Sequence, residues 1–474
     1  MRKQKYRVIE GVSVTGYAAE GRSLARLDGK VLFIEGAVPG DVVDVAVTRS
    51  KKDWAEGRVL RFHAYSEDRV AAFCAHFGVC GGCKWQMLPY ERQLVYKRQE
   101  VEDNLRRIGR IELPEVRQIL GAEATRGYRN KLEFTFSSKR YLTDEEMRGV
   151  SPEERDVLKS RSALGFHVPK LFDKIVDIET CHLQAGPVND IRNWIRTEAL
   201  ARGHAFYDIR AHSGWLRNLV FRQCETGELM VNLVIAAPDP EERDRLLRDL
   251  HAAFPMIDSL YYTVNAKMND SLHDLTPVLF AGNPFVTERL GELSFRIGPK
   301  SFFQTNTRQA ERLYAQTKIL AGLTGRETVY DLYCGTGSIG LFVSDMAAKV
   351  IGVEVIAAAV DDARENARIN GIGHAEFFAG DVIDVCDDSF FERHGRPDVI
   401  ITDPPRAGMH EQLVRKILEI RAPRVVYVSC NPATQARDLQ LLDAAYAVTA
   451  VQPVDMFPHT HHIENIAQLT LKNL

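Results

Sequence analysis

TVYDLYC (328–334), AKVIGVEV (348–355), HAEFFAGD (374–381), DVIITDPP (398–405) and RVVYVSC (424–430) decide the fold. Each is a short apolar run bounded by turn-forming or polar residues, and helical stretches separate them. From about residue 293, that alternation predicts a doubly wound parallel sheet of Rossmann-like type. Ligands of such sheets bind beyond the carboxyl ends of the strands. Glu354, Asp381, Asp403 and Cys430 all stand at those ends, so the chemistry-bearing residues converge on one crevice.

Toward the N-terminus the pattern changes. Residues 6–62 alternate Val, Ile and Phe with polar residues, and Gly-bearing turns punctuate them at Asp28-Gly29 and Pro39-Gly40. Five or so strands in so short a span fit a small barrel, a form that often binds oligonucleotides. The segment CAHFGVCGGCKWQ (74–86) follows, then YERQLVYKRQEVEDNLRRIG (90–109), where Leu94, Val95, Val101, Leu105 and Ile108 recur at roughly helical spacing. Residues 125–290 read as mixed α and β, with strand-like RNKLEFTFSS (129–138), LRNLVFRQC (216–224) and GELMVNLVIAA (227–237). The expected organisation is three domains, at 1–68, 69–292 and 293–474.

Composition narrows the class. A chain of 474 residues is long enough for two to four domains. With 45% hydrophobic and 26% charged residues it is globular rather than disordered. No apolar run reaches the ~18 residues of a membrane span, and MRKQKYRVIEGVSVTG lacks the apolar core of a secretory signal. A cytoplasmic protein is therefore expected. The net charge of −3 excludes a wholly basic nucleic-acid binder and leaves room for a local basic face. Three of the eight cysteines crowd at Cys74, Cys80 and Cys83, which points to a metal or cluster more than to disulfides.

Four motifs carry chemistry. DLYCGTGSIG (331–340) is a glycine-rich strand-to-helix turn without the lysine of a P-loop. With Glu354 placed for ribose hydroxyls and Asp381 for an adenine amine, it fits NAD or S-adenosylmethionine (SAM) equally well. In TDPPR (402–406) two prolines stiffen the loop, so Asp403 is held to recognise a substrate N–H and Arg406 to meet an anion. VSCNP (428–432) sets Cys430 where a nucleophile belongs, although a small buried hydrophobe would look the same. DMFPHTHHIE (455–464) holds His459, His461 and His462, whose spacing matches no zinc pattern well, and Glu464, a candidate general base.

Taken with Cys-x5-Cys-x2-Cys and SFFQTN (301–306), the stretches DLYCGTGSIGL, DPPRAG, SCNPATQARDL and DMFPHTHHIE resemble the SAM-dependent RNA 5-methyluridine methyltransferases, specifically the iron–sulfur subgroup acting on ribosomal RNA. That resemblance implies a multidomain α/β chain: a TRAM-type, OB-like barrel, a mixed α+β central domain bearing an Fe–S cluster, and a C-terminal Rossmann-like methyltransferase domain on which the helix near 90–109 packs. It implies Cys430 as nucleophile and Glu464 as base. It sets Gln304, Tyr333, Ser338, Glu354 and Asp381 at SAM-contacting positions, with Asp403 between cofactor and target base. Relatives carry Phe at 333 and Asn at 338, so Ser338 shortens a polar contact. Cys74, Cys80, Cys83 and Cys181 would bind a [4Fe–4S] cluster, although four thiolates also suit Zn²⁺. The implied partner is a single-stranded or looped uridine of 23S rRNA, met by a monomer. A transfer-RNA T-loop uridine and a non-catalytic, cluster-bearing RNA-binding protein are the competing expectations. An amino-group methyltransferase would carry an aromatic residue where Arg406 stands.

Overall fold

The protein is described from a computed structural model, which covers residues 7–236 and 239–473. Six strands, β1 (Arg7–Ser13), β2 (Gly16–Ala18), β3 (Arg22–Leu27), β4 (Lys30–Glu35), β5 (Val42–Ser50) and β6 (Trp54–Ala64), form a sheet in the order β1-β5-β6-β4-β3-β2. Register shifts along β1–β5 and β5–β6 bend it. The Thr15 N–H donates to the Leu24 carbonyl at 2.9 Å, which extends the β2–β3 pairing by one residue. Val12, Ala25, Leu32, Ile34, Val43 and Val45 fill one interior. Gly57 is required on β6, because a Cβ there would lie 2.3 Å from Val45 Cγ1 and 2.8 Å from the Ala46 carbonyl oxygen.

The central sheet contains β7 (Lys131–Ser137), β8 (Ala163–Val168), β9 (Leu171–Asp177), β10 (Leu216–Gln223), β11 (Leu229–Ile235), β12 (Ser259–Val264) and β13 (Val278–Gly282), in the order β13-β12-β11-β10-β7-β8-β9. Strand β11 is buried along its whole length, as is all but the last residue of β10. Leu219, Phe221, Val231 and Leu233 share a core with Ile191 and Ile195 of helix Val188–Ala201 and Leu246 and Leu250 of helix Pro240–Ala253.

A hairpin follows, β14 (Val286–Leu290) and β15 (Leu293–Ile297). Its Val286, Leu290, Phe295 and Ile297 stand in one core with Val329, Ile401 and Val426. The expected boundary at 292/293 thus falls in the turn of a hairpin that packs with the C-terminal sheet. There β16 (Thr328–Leu332), β17 (Lys349–Glu354), β18 (Ala375–Ala379), β19 (Val399–Thr402), β20 (Arg424–Ser429), β21 (Tyr446–Val454) and β22 (Glu464–Leu471) run in the order β18-β17-β16-β19-β20-β22-β21. Strands β16 to β20 are parallel, and β22 inserts antiparallel between β20 and β21. The strand order reverses between β16 and β19, the position at which such sheets open a ligand crevice.

Helix Tyr90–Asn104 and the wide turn Leu105–Gly109 cross over to this domain. Val101 and Leu105 are buried in the core that holds Tyr330, Leu332 and Val425. Among the described residues no helix is long and apolar enough to cross a membrane. Replacing Gly57 by Ala overpacks the barrel, and we expect a loss of about 1–3 kcal/mol of its stability in urea unfolding. An unchanged unfolding curve would contradict the close approach of β6 to β5.

Candidate active site

The antiparallel ladder of β20 and β22 builds the centre of the site. Ser429 is paired with Asn465, so the next residue on each strand, Cys430 and Glu464, face each other at the ladder's end. Glu464 is buried, whereas Cys430 is partly open to a cleft. Burial, followed by the nearby Glu464 and Asp403 carboxylates, pushes the Cys430 thiol up to about 12, and the Arg406 guanidinium acts in the opposite sense. Asp403 follows β19, and burial raises its carboxyl; Glu464 is raised further by burial and by Asp403 itself. Two acids so close and so dry disfavour double ionisation.

The three histidines of the 455–464 motif, whose spacing fits no zinc pattern, are neutral by environment. Burial lowers His459 and His461 to about 4 and His462 to about 3. Arg406 lies beside His462, with Nη2 3.3 Å from Nδ1. Arg406 is therefore the cation next to the thiol.

The crevice beyond β16, β17 and β18 collects the nucleotide-type groups. The Glu354 carboxylate accepts from the Gly335 N–H at 3.2 Å and the Ile356 N–H at 2.9 Å, which fixes it at the lip of the glycine-rich turn. Gly335 has φ +54° and open space where a Cβ would lie, while a Cβ on Gly337 would come within 3.0 Å of the Phe377 ring. Tyr333 adopts a left-handed backbone (φ 61°) at the end of β16, near Asp381 and Glu354. Asp381 is exposed, and its carboxylate accepts from the Ile383 N–H at 2.9 Å. Gln304 stands apart on the segment leading into helix Thr307–Ala321, its backbone carbonyl accepting from Asn130 Nδ2 at 2.8 Å. A ribose, an adenine amine and a cationic centre fit this set of carboxylate acceptors.

Two residues in the crevice carry no role in the sequence reading. The Tyr314 hydroxyl, buried on helix Thr307–Ala321, lies 3.0 Å from Ser338 Oγ and near Asp403, Asp331 and Glu464. Asp331 accepts from the Gly340 N–H at 2.8 Å, has a second oxygen buried without a partner, and is pushed up to about 7 by burial. Tyr314 lies on the apolar face of an amphipathic helix, where a core tyrosine and a site tyrosine give the same pattern. Asp331 was visible as the first residue of its motif.

Cys74, Cys80, Cys83 and Cys181 line one cavity of about 170 Å³, walled also by Phe77, Leu132 and Phe166. Burial pushes Cys80 up to about 12 and Cys83 to about 11. Among the described residues no group of three or more His, Cys, Asp or Glu is arranged to hold a metal ion. An adjoining cleft of about 1090 Å³, which shares Cys80 and Cys83 with that cavity, runs between the barrel and the strand ends, lined by Arg22, Lys84, Lys170, Arg406, Cys430 and His462 among others. Removing the cation should raise the Cys430 thiol further. Alkylation follows the thiolate fraction, so Arg406→Gln should slow iodoacetamide labelling of Cys430 at pH 8 by roughly three- to tenfold, the equivalent of half to one pKa unit. Peptide mass spectrometry reads this directly, and equal or faster labelling would show that Arg406 does not control the thiol.

Comparison with known proteins converges on the same chemistry. Residues 283–472 match the tRNA (uracil-5-)-methyltransferase family, and residues 4–60 match the TRAM domain. The chain is 52% identical over 459 residues to an RNA methyltransferase of Bacteroides thetaiotaomicron, covering 96% of this chain and 100% of that one. With an RNA methyltransferase of Chlorobaculum tepidum the identity is 41% over 474 residues, covering 98% and 97%. The fold superposes on Pyrococcus abyssi tRNA (uracil-54, C5)-methyltransferase, solved with S-adenosyl-L-homocysteine, at a TM-score of 0.74 and 28% identity over 98% of this chain and 100% of that chain. The chain belongs to the SAM-dependent RNA (uracil-5-)-methyltransferase family and carries a TRAM domain ahead of its catalytic domain.

Proposed function

We propose that this enzyme methylates carbon 5 of a uridine in a looped segment of 23S rRNA, through a covalent bond between Cys430 and carbon 6 of the base. The observation that carries this reading is the nearness of Glu464 to Cys430 just beyond Ser429–Asn465, the last pair of the β20–β22 ladder, with Cys430 on the wall of the large cleft. Carbon 5 of uracil is a weak nucleophile. The Cys430 thiolate adds to carbon 6, and the displaced electron pair forms an enolate on oxygen 4. Bound SAM supplies an electrophilic methyl and a positive charge. Carbon 5 of the enolate would take that methyl as the sulfur–methyl bond breaks and the cofactor leaves as the neutral thioether; the Glu464 carboxylate removes the carbon 5 proton, and the returning pair restores the ring double bond and expels the thiolate.

The environment supports each role. Arg406 favours the thiolate and the Glu464 carboxylate alike. The raised Asp403 carboxyl can donate to oxygen 4 while charge builds there. In this reading Glu354 takes the ribose hydroxyls, Asp381 the adenine amine, Tyr333 the aromatic wall, and Gln304 and Ser338 further SAM contacts. The uridine must leave its stack, which costs least in a loop, and the cleft of about 1090 Å³ beside Cys430 is where it would enter. The enzyme acts as a monomer in the cytoplasm.

The four cysteines on one cavity support a [4Fe–4S] cluster at Cys74, Cys80, Cys83 and Cys181. Methyl transfer does not use it, so it serves folding or RNA placement. Brown protein that loses its colour in acid is expected, and colourless protein with stoichiometric zinc would overturn the cluster.

A transfer-RNA uridine is the second reading, favoured by the full-length likeness to a tRNA (uracil-54, C5)-methyltransferase. Fluorine at carbon 5 cannot leave as a proton does, so 5-fluorouridine-substituted RNA should trap a Cys430-dependent adduct that survives denaturing electrophoresis. An adduct on 23S fragments and none on transfer RNA is expected, and the reverse would select the second reading. No adduct on either would move the protein to a binding role. With unmodified RNA, Cys430→Ala should abolish turnover while retaining SAM binding, and Glu464→Gln should accumulate methylated adduct.

A further inference from the structure

The base-bearing strand is anchored from far away in sequence. Lys97 on helix Tyr90–Asn104 and Asp455 are both fully buried, and Lys97 Nζ lies 2.6 Å from Asp455 Oδ1. The Tyr90 hydroxyl donates to Asp455 Oδ2 at 2.8 Å, and Lys97 also donates to the Phe457 carbonyl at 3.1 Å. One turn along, Gln93 grips His459: its Oε1 accepts from the His459 N–H at 2.9 Å, and its Nε2 lies 3.1 Å from His459 Nδ1. His459 is held in a left-handed backbone (φ 64°), a strained conformation for a residue with a Cβ. The Lys84 and Trp85 N–H groups both donate to its carbonyl, at 2.7 and 3.0 Å.

Everything gripped lies in the connection between β21 and β22. Val454 is the cross-strand partner of Glu464, and Asp455 is the next residue. A buried ion pair is a poor source of net stability, because desolvating two charges offsets their attraction. Here it carries geometry.

We infer that Lys97 and Gln93 are positioning residues for Glu464, holding the 455–463 connection so that the carboxylate meets the carbon 5 proton. The inference rests on Glu464 acting as the base. It makes product release from Cys430, rather than adduct formation, the step these two residues serve.

The experiment follows the methylated protein–RNA adduct during turnover, beside kcat, KM for SAM and RNA, and the melting midpoint. Lys97→Met alone strands a buried carboxylate and should lower the melting midpoint. Lys97→Met with Asp455→Leu removes both charges, so the midpoint should recover towards the native value, yet kcat should stay roughly ten- to a hundredfold low with adduct accumulated and KM unchanged. Gln93→Leu, which keeps the ion pair, should show the same release defect if the double variant fails to fold. Glu464→Gln is the reference. If Glu464→Gln traps no adduct, the base assignment falls and this inference with it. If Glu464→Gln traps adduct while the folded double variant or Gln93→Leu releases product at the native rate, the positioning role alone is overturned.

Discussion

The antiparallel pairing of β20 with β22 is the constraint on which the candidate active site depends. Side chains alternate along a strand, so a slip of one residue would turn Glu464 away from Cys430. The register is pinned from within. Gln435 Nε2 donates to the Tyr427 carbonyl at 2.9 Å and to the Asn465 carbonyl at 3.2 Å, and Asn465 Nδ2 donates to Gln435 Oε1 at 2.7 Å. One amide side chain thereby ties the two strands together next to Cys430 and Glu464. It also explains why β22 must run against the parallel sheet: only that direction brings the start of one strand to the end of the other.

Charge in the crevice is lopsided. Glu354, Asp331, Asp403 and Glu464 form a continuous run of acids from the glycine-rich turn to the thiol, and each influences its neighbour. Burial raises Asp331, Asp403 and Glu464, so the site holds more carboxyl groups than it can comfortably ionise. A cationic ligand would relieve that repulsion, and SAM carries its positive charge on the sulfur that gives up the methyl. Of these acids, Glu464 and Asp403 also disfavour the Cys430 thiolate.

The segment between barrel and central sheet is a structural tie as much as a cysteine site. Trp85 is fully buried and its indole N–H donates to the Gly21 carbonyl of the barrel at 3.3 Å, while its backbone N–H donates to the catalytic connection. A Cβ on Gly21 would lie 2.8 Å from His461 Cβ, so the barrel touches that connection directly. The barrel, the segment that carries Cys74, Cys80 and Cys83, and the connection between β21 and β22 thus share one packed junction.

Much of this was legible in the chain itself. Strand-end placement of Glu354, Asp381, Asp403 and Cys430 followed from apolar runs and turn residues, because backbone periodicity is a local property. The glycine-rich turn was legible for the same reason. What only the tertiary structure decided involves partners far apart in sequence. Lys97 and Asp455 are separated by 358 residues, and Lys97 in its helix looks like any solvated lysine. Tyr314 and Ser338 meet across two helices, and hairpin β14–β15 joins the C-terminal core despite lying astride the expected boundary. The sequence by itself determined which titratable groups stand at the strand ends; long-range packing decided which of them face each other, because hydrogen bonds and burial between distant segments leave no mark on local pattern.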